Sequence, residues 1–217
     1  GFGPGGNVFI VSKEPQWIRD ILPYFASSLT VILTHVNYYY TGNMPLFLLI
    51  IFFGYPIQNI LLPEDNQNLD AKSERVFFHD RRFWIPMHVF NLLETMTWVW
   101  ALIVVSDKVS IDHYYFQMKP QSMFDYVFFS VVLGFLCGAN AVNGHELIHR
   151  KEWYNKMLGN WCYSKFMYSH FLDEHIKGHH KHMGTPLDPG SAVRDQSVWS
   201  FIASSCVGQH KTTYARE

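Results

Sequence analysis

The chain has 217 residues, 48% of them apolar and only 16% charged, with a formal net charge of −1 and twelve histidines. That balance excludes an electrostatic nucleic-acid binder, and three cysteines (Cys137, Cys162, Cys206) without CxxC spacing exclude a disulfide framework or a cysteine-zinc site. Mean hydropathy is near zero, but the average hides a split: residues 21–142 carry long apolar runs and 143–217 are mostly polar.

In chain order, the opening "GFGPGG" reads as a flexible lead-in. Four apolar runs follow, at 21–39, 44–62 (with Pro56 as an expected kink), 83–105 and 123–142. Each is about 20 residues, the length of helix that crosses a bilayer core. Within the third run, His88, Asn91 and Glu94 are either functional or held in interhelical hydrogen bonds. Lys and Arg are richer before the first run, in 63–82 (Lys72, Arg75, Arg81, Arg82) and after the fourth, and poorer between the first two runs and in 106–122 (Lys108, Lys119). Two hairpins, with both histidine-rich stretches on the cytoplasm-like side, satisfy that alternation. Residues 155–172 suit a helix at the interface or under the site. "SVWSFIASSCVG" (197–208) is too short to span and reads as the start of another helix, and "QHKTTYARE" closes no recognisable element.

The polar stretches are "GHELIHRKEW" (144–153) and "DEHIKGHHKHMGTPLDP" (173–189). His145 and His149 are four apart, so on a helix both imidazoles reach one metal. The fourth apolar helix is expected to continue through "GANAVNG" into them. His175 and His179 repeat the spacing, and His180 lies about 100° further round an α-helix. Five imidazoles exceed one tetrahedral site, which favours two metal ions. Glu146, Asp173 and Glu174 abut these histidines and are candidates to hold an imidazole N–H or to bind metal themselves. His170 and His182 are weaker ligand candidates. The His-Glu-x-x-His pattern alone also fits a membrane zinc peptidase, with Glu146 as general base.

The block "NAVNGHELIHRKEWYNKMLGNWCYSKFMYSHFLDEHIKGHHKHMGTPLDPGSA" resembles the membrane alkane 1-monooxygenases and the related xylene monooxygenases of the membrane fatty acid desaturase–hydroxylase superfamily. The resemblance rests on the box His145, Glu146, His149; on the EHxxGHH box Glu174, His175, Gly178, His179, His180; and on "YSHF" (168–171), "TPLDP" (185–189) and "HDRRFW" (79–84). It implies an all-α, multi-span helical bundle, one membrane desaturase/hydroxylase-like domain over 1–217, with a cytoplasm-side di-iron site. It implies insertion of one oxygen atom from O2 into a terminal C–H bond of an apolar chain, with electrons from rubredoxin or another electron-transfer protein, at a site within membrane lipid. The family carries a third histidine box and a further span pair after the second box, so the resemblance also implies a domain truncated at its C-terminus. His210 lacks the flanking pattern of that box. A non-catalytic membrane relative stands as the remaining alternative.

Overall fold

The computed structural model describes residues 9–62, 67–106 and 122–216; the glycine-rich opening and the lysines of the 106–122 loop lie outside them. The chain falls into two compact units, Gly1–Leu136 and Cys137–Glu217. Helix dominates both. The described strands are two three-residue segments in the first unit, β1 (Phe9–Val11) and β2 (Gln67–Leu69), paired in parallel with Ile10 opposite Asn68.

In the first unit, α1 (Trp17–Ile21) leads through a 3-10 turn, Leu22–Phe25, into α2 (Ala26–Thr41). The expected first span is therefore divided, with Pro23 in the tight turn that divides it. Helix α3 (Pro45–Leu61) starts on a proline, whose missing N–H costs nothing in a first turn. The irregularity expected at Pro56 is taken up by a π turn at Ile50–Gly54, the turn whose carbonyls Pro56 cannot reach. Helix α4 (Ala71–His79) is capped by Asp70, whose Oδ1 accepts from the Ser73 N–H at 2.7 Å. A 3-10 turn, Arg81–Trp84, enters α5 (Ile85–Val105), and α6 is Met123–Ile148. Among the described residues, two helical stretches are long and apolar enough to cross a membrane, Arg81–Val105 and Met123–Ile148.

The core of this unit joins α2, α3, α5 and the first turns of α6. Tyr38 meets Trp100 edge-on at 4.8 Å, and Phe129 lies 5.7 Å from Trp100, with Val31, Phe47, Val104 and Val132 buried around them. Along α5, Asn91, Glu94 and Thr97 recur every third residue and are all buried. Thr97 Oγ1 donates to the Leu93 carbonyl and lies 2.8 Å from His35 Nε2 on α2, so one polar pair joins two apolar helices. The outward faces stay apolar, with Leu92, Met96 and Leu102 on α5 and Phe124, Val127 and Val131 on α6 exposed. Water gives no reason for such faces, and hydrocarbon does.

In the second unit, α6 runs unbroken through "GANAVNG", as its continuous apolar and small residues allow. Helix α7 (Trp153–Ser164) crosses it at two glycines. A Cβ on Gly144 would fall 2.8 Å from Cys162 Cβ, and one on Gly159 would fall 2.7 Å from Ile148 Cγ2 and 2.8 Å from the Gly144 carbonyl oxygen. Tyr163 Oη donates to the Ala141 carbonyl at 2.9 Å beside this crossing. Helix α7 stops at Ser164, short of the expected 172, and Met167 adopts a left-handed conformation (φ 59°) in the turn that follows. A second helical stretch, α8, covers 171–182, and α9 is Val198–Tyr214. Residues 209–214 of the tail read as closing no element are thus the end of α9, whose start is capped by Ser197 Oγ. Its interior of Ser, Thr and Cys carries little helical signal of its own.

Gly159→Ala should lower the stability of the chain by about 1–3 kcal/mol, read as an earlier thermal or denaturant midpoint in detergent, whereas Gly138→Ala, at a site with open space around it, should not.

Candidate metal centre

The end of α6 supplies the first two imidazoles. His145 sits in its last turn and His149 just beyond Ile148, and the two Nε2 atoms are 3.3 Å apart. The Gly144–Gly159 contact fixes this end of the helix directly beside His145. His149 is exposed at the mouth of the cluster.

Stretch α8 supplies the others, and its geometry departs from the α-helical expectation. Glu174–His179 is a π turn, with hydrogen bonds to the fifth residue rather than the fourth. Residue i+5 then stacks over residue i. His175 and His180 therefore converge, Nε2 to Nε2 at 3.1 Å, and His180 is not turned aside as the α-helical spacing predicts. His179 stays beside them, its ring 5.2 Å from that of His175 and nearly parallel at 17°.

Three imidazoles, His145, His149 and His175, now share one point, and His180 adjoins it through His175. His175 Nε2 lies 2.8 Å from His145 Nε2, 3.0 Å from His149 Nε2 and 3.1 Å from His180 Nε2. A neutral imidazole nitrogen carries one proton or one lone pair, so the triangle of His145, His149 and His175 cannot be satisfied by hydrogen bonds within itself. Ligands at right angles on a metal with bonds of about 2.1 Å are about 3 Å apart, which is the spacing found here. Burial, and then the neighbouring imidazoles, push the pKa of His175 down to about 3, and burial first lowers that of His149 too. Both are held neutral, the form that binds metal. The donor set therefore fits a transition-metal cation.

Beside the cluster, Asp188 Oδ2 is 2.9 Å from His179 Nδ1. The Asp188 side chain is fully buried and also accepts from Ser191 Oγ and the Gly190 N–H. Burial pushes its carboxyl up, but those hydrogen bonds outweigh it and hold it below the ordinary range. With Nδ1 engaged, His179 presents Nε2 as its free donor atom. Asp188 was passed over in the sequence because only acids adjacent to the histidines were considered; the signal was "TPLDP", an acid buried in an otherwise apolar turn.

The three carboxylates expected to serve the imidazoles have other partners. Glu146 is ion-paired with Arg150, one turn on. Asp173 pairs with Lys177. Glu174 accepts from Thr212 Oγ1 at 2.8 Å and pairs with Arg216. A residue adjacent to a box histidine on a helix projects about 100° away from it, so adjacency in sequence argues against, not for, contact with the ring. His170 also stands apart: its ring stacks on His210 at 3.8 Å, and its Nε2 is buried without a hydrogen-bond partner among the described residues. His182 ends α8 and takes no part in the cluster.

Residues 122–216, which contain every one of these histidines, match the family model for fatty acid desaturase. The chain is 26% identical over 176 residues to alkane 1-monooxygenase 1 of Alcanivorax borkumensis, a match covering 78% of this chain and 39% of that protein. It is 37% identical over 78 residues to alkane 1-monooxygenase 2 of the same organism (36% of this chain, 20% of that one). It is 31% identical over 67 residues to the xylene/toluene monooxygenase hydroxylase component XylM of Pseudomonas putida (31% and 18%). The chain thus spans well under half the length of these curated relatives. The fatty acid desaturase match thus falls on the histidine boxes, and the relatives to which this chain is similar are alkane and xylene/toluene monooxygenases.

Proposed function

We propose that this chain carries the metal centre and membrane helices of a di-iron monooxygenase that hydroxylates a terminal C–H bond of an alkane or similar apolar chain. O2 is the co-substrate, and electrons come from an external rubredoxin-like protein. The observation that carries the reading is the convergence of three imidazole nitrogens, those of His145, His149 and His175, that cannot satisfy one another, with His180 beside them. Among the relatives, alkane 1-monooxygenases lead by name. Against the peptidase alternative stand a fourth imidazole at the cluster and the engagement of Glu146 by Arg150.

In this reading His145, His149 and His175 hold one iron, and His179 and His180 offer nitrogen toward a second. Iron, when bound, supplies the redox chemistry that activates O2. The chain's own part is to hold five nitrogen donors at fixed positions. Asp188 keeps the proton of His179 on Nδ1, the tautomer that leaves Nε2 for metal. The apolar helices exclude water from a substrate with no polar group. The N-terminal segment, residues 63–82 and both histidine boxes lie together on the cytoplasmic side, on the Lys/Arg alternation.

Purified from membranes, the complete protein should contain about two irons per chain and convert octane to 1-octanol with reductant, an electron donor and O2, and His175→Ala should abolish both. One zinc per chain, retained in His180→Ala, would sink the di-iron reading. Asp188→Asn should weaken metal binding about 10- to 100-fold, measured by competition with a chelator, while the far-ultraviolet dichroism stays unchanged. For topology, single cysteines replacing Asn68 and Lys151, in a background with the natural cysteines changed to serine, should react with an impermeant thiol reagent from the same side. Labelling from opposite sides would refute the arrangement.

A further inference from the structure

Glu174 directly precedes His175 and opens the π turn, yet its side chain turns away from the imidazoles, and the residue is only 1% exposed. A carboxylate so far removed from water needs compensation nearby. It comes from α9. Thr212 Oγ1 donates to Glu174 Oε2 at 2.8 Å, and the Arg216 guanidinium pairs with the same oxygen. Arg216 also approaches Asp173 at 3.8 Å. The single Thr212 proton has two other acceptors in reach, the carbonyls of Gly208 and Gln209, both at 3.1 Å; the carboxylate is nearer and charged.

Gly178 completes the arrangement. A Cβ there would lie 2.5 Å from Arg216 Nη1 and 2.6 Å from Glu174 Oε1. The carboxylate and the guanidinium therefore pack directly against the turn, in the space a side chain at 178 would take. π turns are rare insertions in α-helical backbone and occur frequently at functional sites. This one is what brings His180 over His175.

We propose that Thr212 and Arg216 are positioning residues of the metal centre. Through Glu174 they hold the π turn that carries His175 to the point shared with His145 and His149 and sets His180 against His175. They touch neither metal nor substrate. The role rests on the metal-centre reading above and adds to it a part for α9.

The test uses the full chain in detergent, with Co(II) as the probe metal, read by its visible absorption and dissociation constant. Amide hydrogen exchange over 174–180 in the metal-free protein provides a second readout. Thr212→Val removes the hydroxyl at constant shape and should weaken Co(II) binding about 10-fold or more, in the range seen for residues that orient ligands. It should also speed exchange over 174–180 while leaving α7 unchanged. Thr212→Ser should restore both. Arg216→Ala should act in the same direction and more strongly, and Thr212→Val remains decisive if that variant does not fold. Wild-type affinity and wild-type exchange in Thr212→Val would overturn the proposal. Failure of the unaltered chain to take up Co(II) would overturn the metal reading, and this role at the metal with it.

Discussion

Crowding neutral imidazoles around a single point is unfavourable unless something positive sits among them. Three Nε2 atoms lie within 2.8–3.1 Å of His175 Nε2, and one nitrogen can serve only one of them. The second unit is organised around keeping that arrangement. Helix α7 pins the end of α6 through glycines with no room for a methyl group. The π turn in α8 rotates His180 into place. Two acids flank the box, Glu174 at the start of the turn and Asp188 beyond its end, and both are nearly removed from water. Each has a specific cationic or hydrogen-bonding partner, so the negative charge is fixed in position and does not collapse onto the imidazoles.

The first unit solves a different problem. Its interior is aromatic, built on Tyr38, Trp100 and Phe129, while large apolar side chains also cover its outside. A soluble protein would reverse the second feature. Polar groups are few and internal: His35 meets Thr97 between helices, and Asn91 and Glu94 share the Thr97 face. Buried polar contacts of this kind fix which face of one apolar helix meets another, where dispersion alone discriminates poorly.

Much of this was legible in the chain, and the rest failed for identifiable reasons. Apolar length and the His-x3-His spacing led directly to α5, α6 and the meeting of His145 with His149, because both features are properties of one regular helix. The i,i+4 rule then misled at the second box. It presumes α-helical backbone, and the π turn at Glu174–His179 sets His180 against His175 while His179 pairs with Asp188. No local pattern announces such a turn; it is held by Thr212 and Arg216, roughly forty residues away in sequence, and long-range contacts do not print themselves on a short motif. The same limit hid Asp188. The division of the first apolar run at Leu22–Phe25 was signalled by Pro23, but its apolar neighbours concealed it.

The short pairing of β1 with β2 has a topological consequence. Phe9–Val11 and Gln67–Leu69 share backbone hydrogen bonds, and the amide of Asp70 continues the ladder by donating to the Val11 carbonyl at 2.9 Å. Segments joined in this way lie on the same side of any bilayer the chain enters. The stretch threaded between them, α2 and α3 included, therefore crosses such a bilayer an even number of times or not at all. The ladder acts as a clasp on the open end of a hairpin: the two helices enter a bilayer together or not at all, and neither can invert alone without first opening the clasp.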